Sequence, residues 1–164
     1  MNAPVGPVRI TLQYASASGS DGVPAQEAFA AWVHAALAEE AHAEGAITIR
    51  IVDPVESAAL NERFRGKAYP TNVLGFPAAH NFLPDDAEPY AELGDVVICA
   101  DVALQEAAEQ GKSAEAHFAH LAVHGTLHLL GHDHQQDAEA QQMETLERSI
   151  MAGLGFADPY ANGS

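Results

Sequence analysis

The 164-residue chain carries 23 acidic against 7 basic side chains, a net charge of −16, and a single cysteine, Cys99. The 48% apolar content excludes a disordered chain, and the lone thiol excludes an intrachain disulfide or a Cys-based zinc cluster. The acidic balance keeps the chain soluble and repels nucleic acid at long range, so any anionic substrate has to be met by a local patch.

In chain order, residues 8–14 alternate apolar and polar as a half-buried strand does. Gly19 to Gly22 reads as a loop. Pro24 opens a helix to about Glu44, periodic through Phe29, Trp32, Val33, Ala36 and Leu37, with Gly45 as its stop. Residues 46–52 alternate again. Asp53, Pro54 and Glu56 carry a helix start, with cap, first-turn proline and capping-box acid, for a helix to about Phe64. Residues 72–76 predict a third strand closed by Pro77, and 79–92, with two prolines and several acids, an exposed loop. Residues 94–99 predict a fourth strand, in which Cys99 is a small buried thiol. Asp101 caps a helix to about Gln110, and Ser113 caps another to Leu130, stopped by Gly131. A last helix covers 136–153 with Met143, Leu146, Ile150 and Leu154 on one face. The expected fold is α+β, a single domain over 1–164 with one mixed sheet of about four strands packed against helices. No apolar stretch approaches the ~20 residues of a membrane helix, and Met1 to Ile10 has neither a basic region nor an apolar signal core. A cytoplasmic protein without a membrane partner is expected.

Five of the nine histidines fall between 120 and 134. On a helix His124 and His128 are neighbours, ~5–6 Å between Cβ atoms, and can reach one ion. A third ligand on the same helix would overshoot. Gly131 provides the left-handed residue that reverses the chain, and His134 follows within reach. The unit His-x₃-His-x₂-Gly-x₂-His therefore predicts one Zn²⁺-type ion at the end of the central helix, on His124, His128 and His134. Three protein ligands leave a position for water, whose pKa such an ion brings towards ~7. Nickel and copper suit the same imidazoles. His120 and His117 share the face of His124 and read as core or outer histidines bonded to backbone. His132 is a spare ligand or outer donor, and Asp133 orients a ligand or shapes the turn. His34, His42 and His80 have no partners in sequence. The spacing is that of the long zinc-peptidase motif, but Gly125 replaces its general-base glutamate, which weighs against peptide hydrolysis.

Four of the seven basic residues, Arg50, Arg63, Arg65 and Lys67, lie close together. By composition alone they are ordinary solvated side chains, yet this window is where an anionic substrate would bind.

Three segments carry a resemblance: Leu60-Asn61 through Arg65 and Pro70-Thr71-Asn72-Val73-Leu74-Gly75-Phe76-Pro77; Leu93-Gly94-Asp95-Val96; and His124-Gly125-Thr126-Leu127-His128-Leu129-Leu130-Gly131-His132-Asp133-His134. Together with the tail from Met143 to Asp158-Pro159-Tyr160, they resemble the YbeY family over roughly 50–160. The resemblance implies a metal-dependent, single-strand-type endoribonuclease. It would mature ribosomal RNA at the small-subunit 3′ end and act in ribosome quality control. Its partners would be ribosomal or ribosome-assembly proteins, and no DNA is expected. It also implies that the functional arginine is Arg65, whose fork can hold a phosphate and stabilise charge as the phosphodiester is cut. Gly75 departs from the family's frequent serine, and His132 from its frequent tyrosine. Two rivals stand beside this reading: a metzincin-like metallopeptidase, and a non-catalytic ribosome assembly factor with a structural zinc.

Overall fold

The computed structural model describes residues 8–16, 22–40, 45–78, 92–132 and 136–160. The elements follow as strand β1 (Val8–Tyr14), helix α1 (Gln26–Glu39), β2 (Gly45–Val52), α2 (Pro54–Arg65), β3 (Val73–Pro77), β4 (Glu92–Cys99), α3 (Ala100–Gln110), α4 (Ala114–Leu129) and α5 (Asp137–Gly153). The sheet order is β1-β2-β4-β3. β1, β2 and β4 run parallel, and β3 lies antiparallel on β4. This is the expected α+β architecture with a four-stranded mixed sheet.

The period of two divides the sheet into two faces. Ile47, Ile49 and Ile51 of β2 and Val96 and Ile98 of β4 point to one face. There they meet Phe29, Trp32, Val33, Ala36 and Leu37 of α1 and Phe118, Ala122, Val123 and Leu127 of α4. The α1 residues are those whose 3.6-residue spacing predicted that helix. Each large side chain among them contributes about 1.5–3 kcal/mol by leaving water. The opposite face is smaller: Val52, Leu74, Val97 and Cys99, with Leu60, Phe76 and Val102 against them. Cys99 is 1% exposed, and burial is the main influence raising its pKa, so it is an inert core thiol.

Some boundaries and caps depart from expectation; α3 begins at Ala100 with Cys99 as its N-cap, so Asp101 lies in its first turn rather than capping it. α1 begins at Gln26 rather than at Pro24 and ends at Glu39 with Glu40 as its C-cap, so Gly45 is not its stop. Gly45 instead opens β2, where a Cβ would come 2.6 Å from Leu93 Cδ1. The capping box at Asp53 does not form. Asp53 is extended with no side-chain cap bond, and Glu56 pairs with Arg50 at 2.7 Å instead. An ion pair between helix and strand competes successfully for that carboxylate. By contrast, Ser113 caps α4 as read, accepting from Ala116 N at 3.0 Å, a contact worth about 1 kcal/mol. Most of the loop predicted at 79–92 lies outside the described residues, as does all but Gly22 of the loop at 19–22.

Candidate functional site

The site grows from one stripe of α4. His117, His120 and His124 recur at spacings of three and four, so they stand on one side of the helix. Two carboxylates meet this stripe from neighbouring helices. Glu106 of α3 accepts from His117 Nε2 at 2.8 Å and from Asn72 Nδ2 at 3.0 Å. Glu147 of α5 is fully buried. Its Oε2 accepts from His124 Nδ1 at 2.5 Å, and its Oε1 from His120 Nε2 at 3.0 Å and from the Tyr160 hydroxyl. His117 and His120 were expected to bond backbone. They bond carboxylates instead, and their Nδ1 atoms find no partner among the described residues.

Glu147 is the residue that sequence reading missed. It sits among Met143, Ile150 and Met151, all buried, on the inner face of α5. A single acid within an apolar helical stripe was the available signal, since a buried carboxylate has to find donors. Burial acts to raise its pKa, but the hydrogen bonds and charges of His120 and His124 outweigh it and hold the group at about 2. The Tyr160 hydroxyl is pushed well up, first by burial and then by its bond to Glu147. His117 is pushed down by burial, against the pull of Glu106.

An ionised carboxylate only accepts hydrogen bonds, so the short contact places the His124 proton on Nδ1 and leaves a lone pair on Nε2. That is the tautomer a metal ligand requires. His128, one turn further, lies against β3. A Cβ at Gly75 would come 2.8 Å from His128 Cδ2, so the glycine leaves room for the ring. The donor chemistry of His124 and His128 thus fits a borderline metal such as zinc. His134 and Asp133 lie outside the described residues, as do His42 and His80. Among the described residues, no three His, Cys, Asp or Glu side chains gather as a metal set. His132, read as a spare ligand or outer donor, bonds Glu40 Oε1 at 2.5 Å through Nε2.

Arg65 and His124 line one pocket of about 200 Å³, with Asn61, Lys67, Tyr69, Thr71, Asn72 and Val73. Arg65 is the last residue of α2. Gly66 then takes φ 74°, and its N–H bonds Glu62 O at 3.0 Å, closing the helix in a left-handed cap that aims the chain back over the pocket. The loop is pinned from below by two buried polar residues. Ser57 Oγ bonds both the N–H and the carbonyl of Thr71 at 2.9 Å, and Asn61 Nδ2 donates to Tyr69 O at 2.8 Å. Of the four clustered cations, then, Arg65 and Lys67 reach the pocket. Arg63 lies over the Phe64 ring, and Arg50 is engaged by Glu56 and Gln13. A second concavity, of about 540 Å³, lies between α2 and the outer sheet face and holds none of the expected site residues.

Gly125 faces the sheet. A Cβ there would come 2.7 Å from Val96 Cγ1, so a glutamate at this position fits neither the packing nor the pocket. No helix is long and apolar enough to cross a membrane among the described residues.

The solution structure of TM1509 from Thermotoga maritima shares the fold, with a TM-score of 0.52 at 21% identity, covering 93% of this chain and 98% of that one. Among curated proteins, the Endoribonuclease YbeY of Xanthomonas axonopodis pv. citri is 51% identical over 159 residues, 95% of this chain and 96% of that protein. That of Stenotrophomonas maltophilia is 52% identical over 157 residues, with the same two coverages. That of Alkalilimnicola ehrlichii is 54% identical over 140 residues, 85% of this chain and 83% of its own length. The family model described as Endoribonuclease YbeY matches residues 15–155, and the chain belongs to the YbeY endoribonuclease family.

Proposed function

We propose that this chain is a metal-dependent endoribonuclease that matures ribosomal RNA at the small-subunit 3′ end and serves ribosome quality control. The observation that carries the reading is the shared pocket of Arg65 and His124. It sets a phosphate-binding fork beside an imidazole held in the metal-binding tautomer. His124, His128 and His134 would hold an ion of zinc type, which would supply Lewis-acid activation of water and of the phosphodiester when bound. The chain's own residues do the rest. Arg65 binds the phosphate by paired hydrogen bonds and stabilises the charge that grows on its oxygens as the ester breaks. Lys67 adds a second positive charge at the pocket wall. Glu147 keeps the His124 proton on Nδ1 and fixes the ring plane, and the Asn61 and Ser57 clamps hold the loop so that Arg65 needs little reorganisation on binding.

With a net charge of −16, attraction at a distance is unavailable. Ribosomal or ribosome-assembly proteins are therefore proposed to present the RNA, in the cytoplasm. A peptidase activity is disfavoured because position 125 is closed by Val96.

The test is cleavage of a 3′-extended small-subunit rRNA precursor by metal-loaded wild type and His128→Ala, with circular dichroism on both. Cleavage by wild type alone, with both proteins folded, supports the proposal. Equal cleavage by both removes the claim of metal-dependent activity. Unfolding of His128→Ala on metal loss would favour the structural-zinc assembly factor.

A further inference from the structure

Tyr69 is 54% exposed, yet it belongs to the wall of the pocket that holds Arg65, Lys67 and His124. Of the other exposed aromatic rings among the described residues, Tyr14 stands at the end of β1 outside this pocket, and Phe64 and Tyr160 have partners elsewhere. Phe64 packs edge-on against Phe76 at 4.9 Å, and Tyr160 donates to Glu147. Leaving a large ring in water stabilises nothing in the free protein.

The backbone that carries the ring is nevertheless held in place. Asn61, 2% exposed, grips the Tyr69 carbonyl at 2.8 Å, and Ser57, 1% exposed, holds Thr71 at both backbone groups. Pro70 confines the Tyr69 backbone to extended conformations. With the backbone pinned, only two side-chain torsions remain to be ordered when a ligand arrives, a small entropic cost.

An aromatic side chain on a pinned backbone, beside two cations, is the combination that receives an unpaired nucleotide: phosphate on the cations, base on the ring. We infer that Tyr69 is a stacking platform for a nucleobase of single-stranded RNA, next to the phosphate held by Arg65 and Lys67. The inference rests on the endoribonuclease reading. Bases inside a duplex already stack on each other, so the platform selects unpaired strands. Stacking involves no counterion release, which gives this acidic chain a source of affinity that salt does not screen.

The test uses the full-length, metal-loaded protein and a 5′-fluorescein 2′-O-methyl RNA octamer, with binding read by fluorescence anisotropy from low to high salt. Tyr69→Ala should weaken binding about tenfold, within the five- to hundredfold range of base–aromatic contacts, and Tyr69→Phe should restore it. The slope of log affinity against log salt should be unchanged by Tyr69→Ala, whereas Lys67→Ala should flatten it by about 0.7. Octamers carrying one abasic residue, walked along the strand, should include one position at which Tyr69→Ala causes no further loss. Wild-type affinity in Tyr69→Ala, or the same loss with every abasic octamer, would overturn the platform and leave the nuclease reading standing. The uniform loss would point to a structural effect or to a backbone contact. No binding of any octamer by wild type would remove the platform together with the reading beneath it.

Discussion

His124 Nδ1 lies 2.5 Å from Glu147 Oε2, inside the protein, where the carboxylate is fully shielded from water. The contact joins the expected ligand helix to α5 and decides which ring nitrogen of His124 presents a lone pair. Glu147→Gln should therefore lower metal affinity about 10- to 100-fold with the fold retained. Competition against a chromophoric chelator at fixed pH, with circular dichroism alongside, measures it. Glu147→Ala should also lose stability, because it strands His120 and the Tyr160 hydroxyl. Unchanged metal affinity in Glu147→Gln would remove the link between this carboxylate and the ion.

Arg65→Ala should reduce the single-turnover cleavage rate about 10²- to 10³-fold without changing metal content, as loss of one charge-stabilising donor does elsewhere. Arg65→Lys should recover only part of this, since an ammonium lacks the planar fork. Rates on a single-stranded RNA, with zinc measured by elemental analysis, check both. Loss of zinc in Arg65→Ala would instead assign the arginine to the metal site's structure.

Stability of the metal-free protein should fall in acid through two separate windows. The folded state holds His117 below its ordinary 6.5, chiefly through burial. Between that ordinary value and the lower folded one, the unfolded chain binds the extra proton, so stability drops as pH falls below about 6.5. Glu147 is held at about 2 against an ordinary 4.5. Its contribution is present above about 4.5 and is lost as pH falls towards about 2, on the order of 3 kcal/mol in all. Urea melts from pH 8 to 3 should show both slopes. His117→Asn should flatten the upper one and Glu147→Gln the lower.

Gly125→Ala should destabilise by about 1–3 kcal/mol, because its methyl group would meet Val96 Cγ1 at 2.7 Å. Gly125→Glu, which completes the peptidase spacing, should destabilise further and yield no casein hydrolysis. Thermal melts and a protease assay test the pair. A stable, proteolytic Gly125→Glu would revive the peptidase reading.

Phe118→Ala should cost about 3–5 kcal/mol. Its ring is fully buried and meets Phe29 edge-on at 6.2 Å, at the contact between α1 and α4. The urea midpoint should fall with little change in the slope of the transition.

By itself, the sequence determined the elements whose signals are local. Strands β1 and β2 were legible from alternation, α1 and α5 from their apolar stripes, and α4 from Ser113 at its start and Gly131 after its end. The histidine spacing with Gly131 was legible for the same reason: a helix and a turn have a fixed rise, so positions along the chain translate into positions in space. Tertiary structure decided what depends on contacts between elements. Arg65 reached the pocket of His124 although α2 and α4 pack on opposite faces of the sheet, because the end of α2 and the start of β3 line the same pocket as α4. Glu56 was claimed by Arg50 rather than by the helix end. Glu147, which looked like one acid among many, became the partner of His124. Local periodicity records which face a residue occupies, but not which distant residue faces it. That is settled only when burial forces every buried charge to find a donor.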